Sequence, residues 1–408
     1  IRQLEEDRWV MWDREQQTLD FHPVVRRYIY GRLKDKENIH ACLAAHFLPL
    51  ANEVDTQRIE SVADLAPLIE HYYHTARSGG YDRAYEIMHC GLWRLLYYRF
   101  GVYDVCAELM QMLFPRGDNR FPPLKEHYAQ VSAINALAMP LGRSGYSHRA
   151  IALYQTARKI ANGQEDTIEL ASTAYNLANE LIRVGRLAEA DENFRQAIKL
   201  YRKHRNRSRE ARVHLQLGRL LAYCGRFDES KVEIDLAASL YNQKDAEGMV
   251  MVVLMETIHA LLMGIPDIAL QLAYRAVELT KMTEYERDII RTQWVLGAAL
   301  RANGDFARAE LHLMDALERC RRAKRVDHET DLLTELARLR FASKGMRSSV
   351  EKPADLMREA HSYALEALLI ADRCSYRLLQ ADLHNFLAQL ELEASNIAEA
   401  RKHAETAK

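Results

Sequence analysis

The sequence predicts an all-α chain, a solenoid of stacked helical hairpins preceded by a short segment with a β-hairpin. Three observations lead there. Glycine and proline, 17 and 9 of 408 residues, reach only about half their usual share, too few turn-formers for a β-sandwich or barrel. A pattern of large and small apolar residues recurs about every 40 residues over the last two thirds of the chain. A glycine recurs at one point of that pattern, at Gly145, Gly185, Gly225, Gly264 and Gly304, with spacings of 40, 40, 39 and 40.

Residues 1–33 stand outside the repeat. Trp9 to Trp12 and Thr18 to Phe21 alternate like two short strands, joined by the polar stretch Asp13 to Gln17. His22-Pro23 then opens a helix, with proline at the first helical position and Val24, Val25, Tyr28, Ile29 and Leu33 at helical spacing. A hairpin followed by a helix looks like the tail of a winged-helix domain. Residues 34–130 form a helical bridge of irregular hairpins: Ile39 to Val54, Leu68 to Ala76, a Gly79-Gly80 turn, Tyr81 to Leu92, Gly101, and Val102 to Leu113. Pro115, Pro122 and Pro123 mark a break before the regular array of residues 131–408, about seven units of about 40 residues.

Within the array, Leu177-Ala178, Leu181, Gly185, Ala190, Phe194 and Ala197 set the register. Leu137-Ala138, Leu217-Gly218 and Leu296-Gly297 open equivalent runs, and weaker copies hold Ala269, Ala273, Ala276, Ala360, Ala364, Ala367 and Leu387-Ala388. In each unit the large–small pair lets a neighbouring helix approach. The glycine closes the first helix in a left-handed turn, and the second helix places three packing residues on one face. One hairpin cannot bury that face alone; a stack can. The stretch Ser343 to Asp355 reads as a surface insertion between two helices of one unit. Ala404 and Ala407 are packing positions at the last helix, so further repeats or a partner are expected to cover them. The array reads as an open superhelix.

This pattern resembles the tetratricopeptide repeat (TPR), with Ala190, Phe194 and Ala197 at its second-helix positions. The string Leu19-Asp20-Phe21-His22-Pro23-Val24-Val25-Arg26-Arg27-Tyr28 carries a second resemblance, to the end of the winged helix in STAND-class signalling ATPases such as NB-ARC and NACHT proteins. That resemblance implies that His22 contacts the phosphate of a bound nucleotide, with ATP or ADP held by an ATPase domain upstream of this chain. Read from the residues alone, His22 is equally a helix N-cap or a packed imidazole. In the repeat fold the first helices line the concave face. Their non-packing positions are therefore the candidate groove: Tyr175, Asn176, Asn179, Arg183, Arg212, Gln216, Arg219, Arg291, Trp294 and Arg301. Amides pair with a peptide backbone and arginine clamps carboxylates. Asn176, Asn179 and Arg212 partly resemble the carboxylate clamp of peptide-binding TPR domains, although the two lysines of that clamp are absent.

Other classes of function find little support. Phosphate-loop, dinucleotide, nucleophile-elbow and zinc-protease motifs are missing, so the chain is not expected to be an enzyme. His71-x-x-His74, with His89 beyond, lacks a carboxylate partner, and no metal site is expected. Lysine plus arginine number 56 and aspartate plus glutamate 57, so the whole chain is no trap for nucleic acid or anionic lipid. The basic runs Arg202 to Arg209 and Arg319 to Arg325 sit where cations favour a helix C-terminus, without interleaved aromatics. No run of about 18 apolar residues occurs, so no membrane span is expected. The charged Ile1 to Glu6 lacks a leader core, and no initiator methionine is present, as in a fragment of a longer protein. Six scattered cysteines without a CxxC pair fit reduced, buried cytoplasmic thiols. The expected function is ligand sensing and protein interaction in a STAND-type signalling ATPase. A protein or peptide trigger would bind in the superhelix, with self-assembly on activation. The alternative is a TPR scaffold that assembles cytosolic complexes without an ATPase.

Overall fold

The computed structural model describes residues 10–13, 18–118, 120–161, 168–242, 245–283, 285–345 and 352–408. The chain divides into two compact units, Ile1–Ala84 and Tyr85–Lys408.

In the first unit, strands β1 (Val10–Asp13) and β2 (Thr18–Phe21) pair antiparallel, with Val10 opposite Phe21 and Asp13 opposite Thr18. The expected joining segment beyond Asp13 (residues 14–17), Trp9 and Ile1 to Glu6 lie outside the described residues. Pro23 begins α1 (Pro23–Arg32) as expected, but this helix buries no residue, and Val24, Tyr28 and Ile29 are exposed. Next come α2 (Lys36–Asn52) and α3 (Ala66–Arg77), which pack together. The histidines of α3 face separate partners: His71 Nδ1 bonds the Ala44 carbonyl at 2.9 Å and His74 Nδ1 bonds His40 Nδ1 at 2.8 Å.

Helix α4 (Tyr81–Ile87) runs on through two π-helical segments, Met88–Leu92 and Arg94–Arg99. The sequence pattern ended this helix near Leu92; the wider π turns carry it about two turns further and re-aim its aromatic residues. After α5 (Tyr103–Gln111), the proline-marked break leads to the array. Its hairpins are α6 (His127–Arg143) with α7 (Ser147–Ala161), α8 (Ile168–Arg183) with α9 (Leu187–Lys203), and α10 (Arg207–Tyr223) with α11 (Phe227–Leu240). There follow α12 (Ala246–Leu262) with α13 (Pro266–Thr280), α14 (Glu286–Ala302) with α15 (Phe306–Arg322), α16 (Val326–Ser343) with α17 (Pro353–Cys374), and α18 (Arg377–Glu393) with α19 (Ile397–Thr406).

The repeat positions do what the pattern requires. Leu177, Ala178, Ala190, Phe194, Ala197, Leu296, Ala309, Leu313 and Ala316 are all buried. Gly145, Gly185, Gly225, Gly264 and Gly304 have φ of +92°, +78°, +72°, +71° and +80°, so a side chain there would be strained. Gly297 serves the close approach, since a Cβ there would lie 2.5 Å from Leu313 Cγ of the paired helix. The insertion falls between α16 and α17, with residues 346–351, including Ser348 and Ser349, outside the described residues. Ala404 is exposed. All six cysteines are free, but only Cys106, Cys320 and Cys374 are buried. Cys42, Cys90 and Cys224 are exposed, because they fall off the packing positions of the pattern.

The second unit is the expected superhelix, but its successive turns meet rather than staying open. The array turns back on itself: α16 packs against α6, and α18 against α8. Charged residues make these closures. Asp327 of α16 accepts from Arg143 of α6 at 2.9 Å and from Arg183 of α8 at 3.1 Å. Gly145 and Gly185 approach Cys374 and Arg377 across the same junction. Among the described residues no helix is long and apolar enough to cross a membrane.

Candidate ligand-binding site

Because the units repeat at 40 residues, equivalent positions of successive first helices stack into ladders on the inner face. Ser132, Ser172 and Arg212 form one ladder; Ala136, Asn176 and Gln216 another; Met139, Asn179 and Arg219 a third. Two adjoining cavities lie against these ladders. The larger holds about 560 Å³ and is walled by Tyr85 of α4, Met88, Trp93 and Tyr98 of the π-helical stretch that continues it, Asn135 and Met139 of α6, Tyr175 and Asn176 of α8, and Tyr201 and Arg209. The smaller, of about 100 Å³, shares Tyr98, Met139, Tyr175, Asn176 and Arg212 with it and continues along Asn179, Gln216 and Met251.

Eight of the ten sequence-predicted groove residues line these cavities: Tyr175, Asn176, Asn179, Arg183, Arg212, Gln216, Arg219 and Arg291. The other two stand apart. Arg301 Nε is engaged by Glu335 at 2.9 Å, and Trp294 packs into the apolar core between successive hairpins. Asn179 also spends one of its two amide N–H groups on the Tyr175 carbonyl (2.9 Å), leaving one donor and its oxygen for a ligand. Asn135 donates to Thr173 at 2.8 Å while its buried Oδ1 has no partner, an acceptor left open at the cavity wall.

The inner residues form a dense electrostatic cluster. Burial works to raise the Asp327 carboxyl, but His328, Arg325, Arg143 and Arg183 outweigh it and hold the group well below the usual carboxylate range. Burial keeps His328 well below its ordinary value. Burial, with the Asp327 charge, pushes Asp331 up to about 7. Burial, with the neighbouring Arg287 charge, pulls Arg291 down to about 9. Arg212 and Arg287 share Glu247 at 3.1 and 3.0 Å, and Arg287 also reaches Asp288 at 2.8 Å.

The sequence pattern missed Arg143, Arg287, Arg325, Asp327 and the aromatic wall. Arg143 was within reach, since it lies 40 residues before Arg183 in the same ladder. The basic runs are largely consumed by ion pairs: Arg202 with Glu210, Arg319 with Glu286 and Asp315, Arg321 with Glu329 and Glu366, and Lys324 with Asp104. Their inward members, Arg209 and Arg325, reach the cavities instead. His22 caps α1, accepting from the Val24 amide at 3.4 Å.

The tetratricopeptide-repeat family matches residues 171–204, the hairpin of α8 and α9. No curated protein matches the chain in sequence. Solved structures do. A Rap protein complexed with Competence and Sporulation Factor has a TM-score of 0.55 at 11% identity, covering 90% of this chain and 96% of its own. A Rap conjugation gene regulator of the plasmid pLS20, in complex with the Phr* peptide, has 0.52 at 12%, covering 86% and 90%. A STAND protein with a tetratricopeptide repeat sensor from Pyrococcus horikoshii has 0.47 at 12%, covering all of this chain and 57% of that one. At these identities the two Rap likenesses establish the fold alone, a solenoid of tetratricopeptide-like helical hairpins.

Proposed function

We propose that this chain is the ligand-sensing, protein-interaction module of a STAND-type signalling ATPase. A protein or peptide trigger enters the inner cavity and controls activation and oligomerisation, while ATP or ADP is held by an ATPase region outside residues 1–408. The observation that carries the reading is the cavity of about 560 Å³, whose wall combines aromatic faces with the open Asn135 Oδ1 acceptor and the Asn176 amide. A peptide asks for that combination: apolar area for side chains and a few fixed donors and acceptors for the backbone. The Phr* peptide in the similar Rap conjugation regulator supports the ligand class. The STAND assignment rests on the Leu19 to Tyr28 string. The hairpin and helix found there, with their uncovered apolar face of Val24, Tyr28 and Ile29, fit the end of a larger winged-helix domain. His22 would then meet a nucleotide phosphate by exchanging its cap on α1 for that contact.

Triggering works as a population shift. The ligand must bind the active arrangement better than the resting one, by its differential contacts alone. The test is photocrosslinking in the full-length protein, with a benzophenone amino acid at Tyr175, followed by peptide identification. A defined peptide is expected, with Asn176→Ala weakening it by roughly 0.5–1.5 kcal/mol for the lost hydrogen bond. Capture of no peptide, together with unaltered trigger-dependent signalling in Asn176→Ala and Tyr175→Ala, would overturn the reading.

A further inference from the structure

The small inner cavity has an unusual wall. Seven arginines line its 100 Å³ and no aspartate or glutamate does. Carboxylates behind the wall serve four of them: Asp327 bridges Arg143 and Arg183, Glu180 stands 3.5 Å from Arg183, and Glu247 and Asp288 hold Arg212 and Arg287. Three remain. Arg219 has no carboxylate within ion-pair distance among the described residues, and its guanidinium lies over the Tyr223 ring at 6.0 Å. Arg291 spends a hydrogen bond on the Met251 sulfur at 3.1 Å. Arg325 is 2% exposed, its Nε and Nη1 lack hydrogen-bond partners, and Asp327 Oδ1 is 3.7 Å away.

Buried charge left without a counter-charge is strongly destabilising, so natural interiors pair it. Here Arg219 and Arg291 have no carboxylate within ion-pair distance among the described residues, Asp331 acts on Arg219 only at longer range, and Arg325 shares Asp327 with two other guanidiniums. The guanidiniums also arrive from several directions, from α6, α8, α10 and α14 and from the residue before α16. A planar carboxylate is filled by one guanidinium fork; a tetrahedral anion offers oxygens on every side and is matched by several. We infer that this chamber binds a multivalent phosphate-class anion, held by Arg219, Arg291 and Arg325. Because the chamber shares Tyr98, Tyr175 and Asn176 with the aromatic cavity, the anion is either free or the phosphate end of an organic ligand. Only the second case rests on the larger cavity being the ligand site.

Two probes separate these sources in the 408-residue chain at constant ionic strength: inorganic pyrophosphate, and phenyl phosphate, whose ring reaches towards Trp93. Pyrophosphate is expected to raise the unfolding temperature saturably. Arg219→Gln with Arg291→Met should weaken that binding about ten- to hundredfold and raise the unfolding temperature without anion, since unpaired charge has been removed. Should the double variant not fold, Arg291→Lys, which keeps the charge but loses the fork, must weaken binding. Tighter binding of phenyl phosphate with a change in tryptophan fluorescence assigns an organic ligand; tighter binding of pyrophosphate assigns the free anion. No saturable stabilisation by either probe, or stabilisation unchanged in the variants, overturns the inference. Crosslinking at Tyr175 reads the peptide site separately, so either reading can fail alone.

Discussion

Asp327→Asn tests the closure of the array most directly. The side chain is fully buried and joins segments 184 residues apart, accepting from Arg143 at 2.9 Å and Arg183 at 3.1 Å, with Arg325 at 3.7 Å. Asparagine keeps the shape but removes the charge, and it leaves several guanidiniums without their shared counter-ion. Removing one partner of a buried ion pair costs roughly 3–5 kcal/mol. The three-way arrangement places this variant in the upper part of that range, and Arg143→Met in the same chain should recover part of the loss, since it removes one stranded charge. Because neighbouring hairpins contribute nearly independently in a repeat array, the loss should appear locally. Urea unfolding followed by circular dichroism gives the stability, and hydrogen exchange should show faster opening of α6, α8 and α16 than of α12 and α13. Acid dependence provides a second reading. The folded carboxyl is held well below its unfolded value of about 3.9. Its stabilisation is therefore complete above about pH 4 and disappears as the pH falls towards the folded value. The variant should lack that part of the acid transition. A loss under about 1 kcal/mol, with exchange in α6 and α16 unchanged, would refute the argument that this carboxylate closes the array.

Three other outcomes are expected. Asp331, raised to about 7, behaves with the opposite sign: its stabilisation is complete below the unfolded value of about 3.9 and is lost as the pH rises through 7. Asp331→Asn should therefore flatten the decline in stability between pH 6 and 8, measured by urea unfolding at each pH. Gly297→Ala puts a methyl 2.5 Å from Leu313 Cγ and 3.3 Å from the Ala309 carbonyl, so it should lower stability by about 1–3 kcal/mol; a neutral result would show that α14 and α15 can separate freely. In the first unit, burial holds His40 and His74 below their ordinary values. Their contribution is complete above about pH 6.5 and is lost as the pH falls towards the folded values. Proteolysis of the first unit should rise between pH 7.5 and 5.5, and His74→Phe should reduce that rise.

The fold was legible because a repeat states its packing rule several times. Ala190, Phe194 and Ala197 recur as Ala309, Leu313 and Ala316, and the same burial follows each time. The glycine of each first-helix turn was equally readable, since left-handed backbone admits few alternatives. The closure was not readable. A short-range pattern describes how each hairpin meets the next, but Asp327 meets Arg143 only after the small rotations of several hairpins have accumulated. The aromatic wall was hidden for a related reason: it is supplied by a π-helical stretch outside the repeat, where the extra residue per turn changes which side chains face inward. Eight of the proposed groove residues line the cavities because ladder positions repeat with the helices. Trp294 and Arg301 stand away from these cavities because, on their helices, those faces meet neighbouring hairpins and Glu335.

The closure and the arginine chamber belong to one electrostatic arrangement. The carboxylates that the chain supplies stand behind the wall, where they tie helix to helix; the cations they leave unsatisfied face the cavity. Removing Asp327 should thus loosen the ring, while filling the chamber with an anion should tighten it, because both act on guanidiniums drawn from the early and late hairpins alike. An inner ligand then needs no long relay to change the shape of the second unit, since its contacts already span α6 to α16. By linkage, whatever holds the ring closed must favour ligand retention by the same factor as the ligand favours closure. Asp327→Asn should accordingly weaken pyrophosphate binding even though its carboxylate does not line the chamber. A purely local anion site predicts the reverse, because removing a competing negative charge 3.7 Å from Arg325 would strengthen the attraction for the anion.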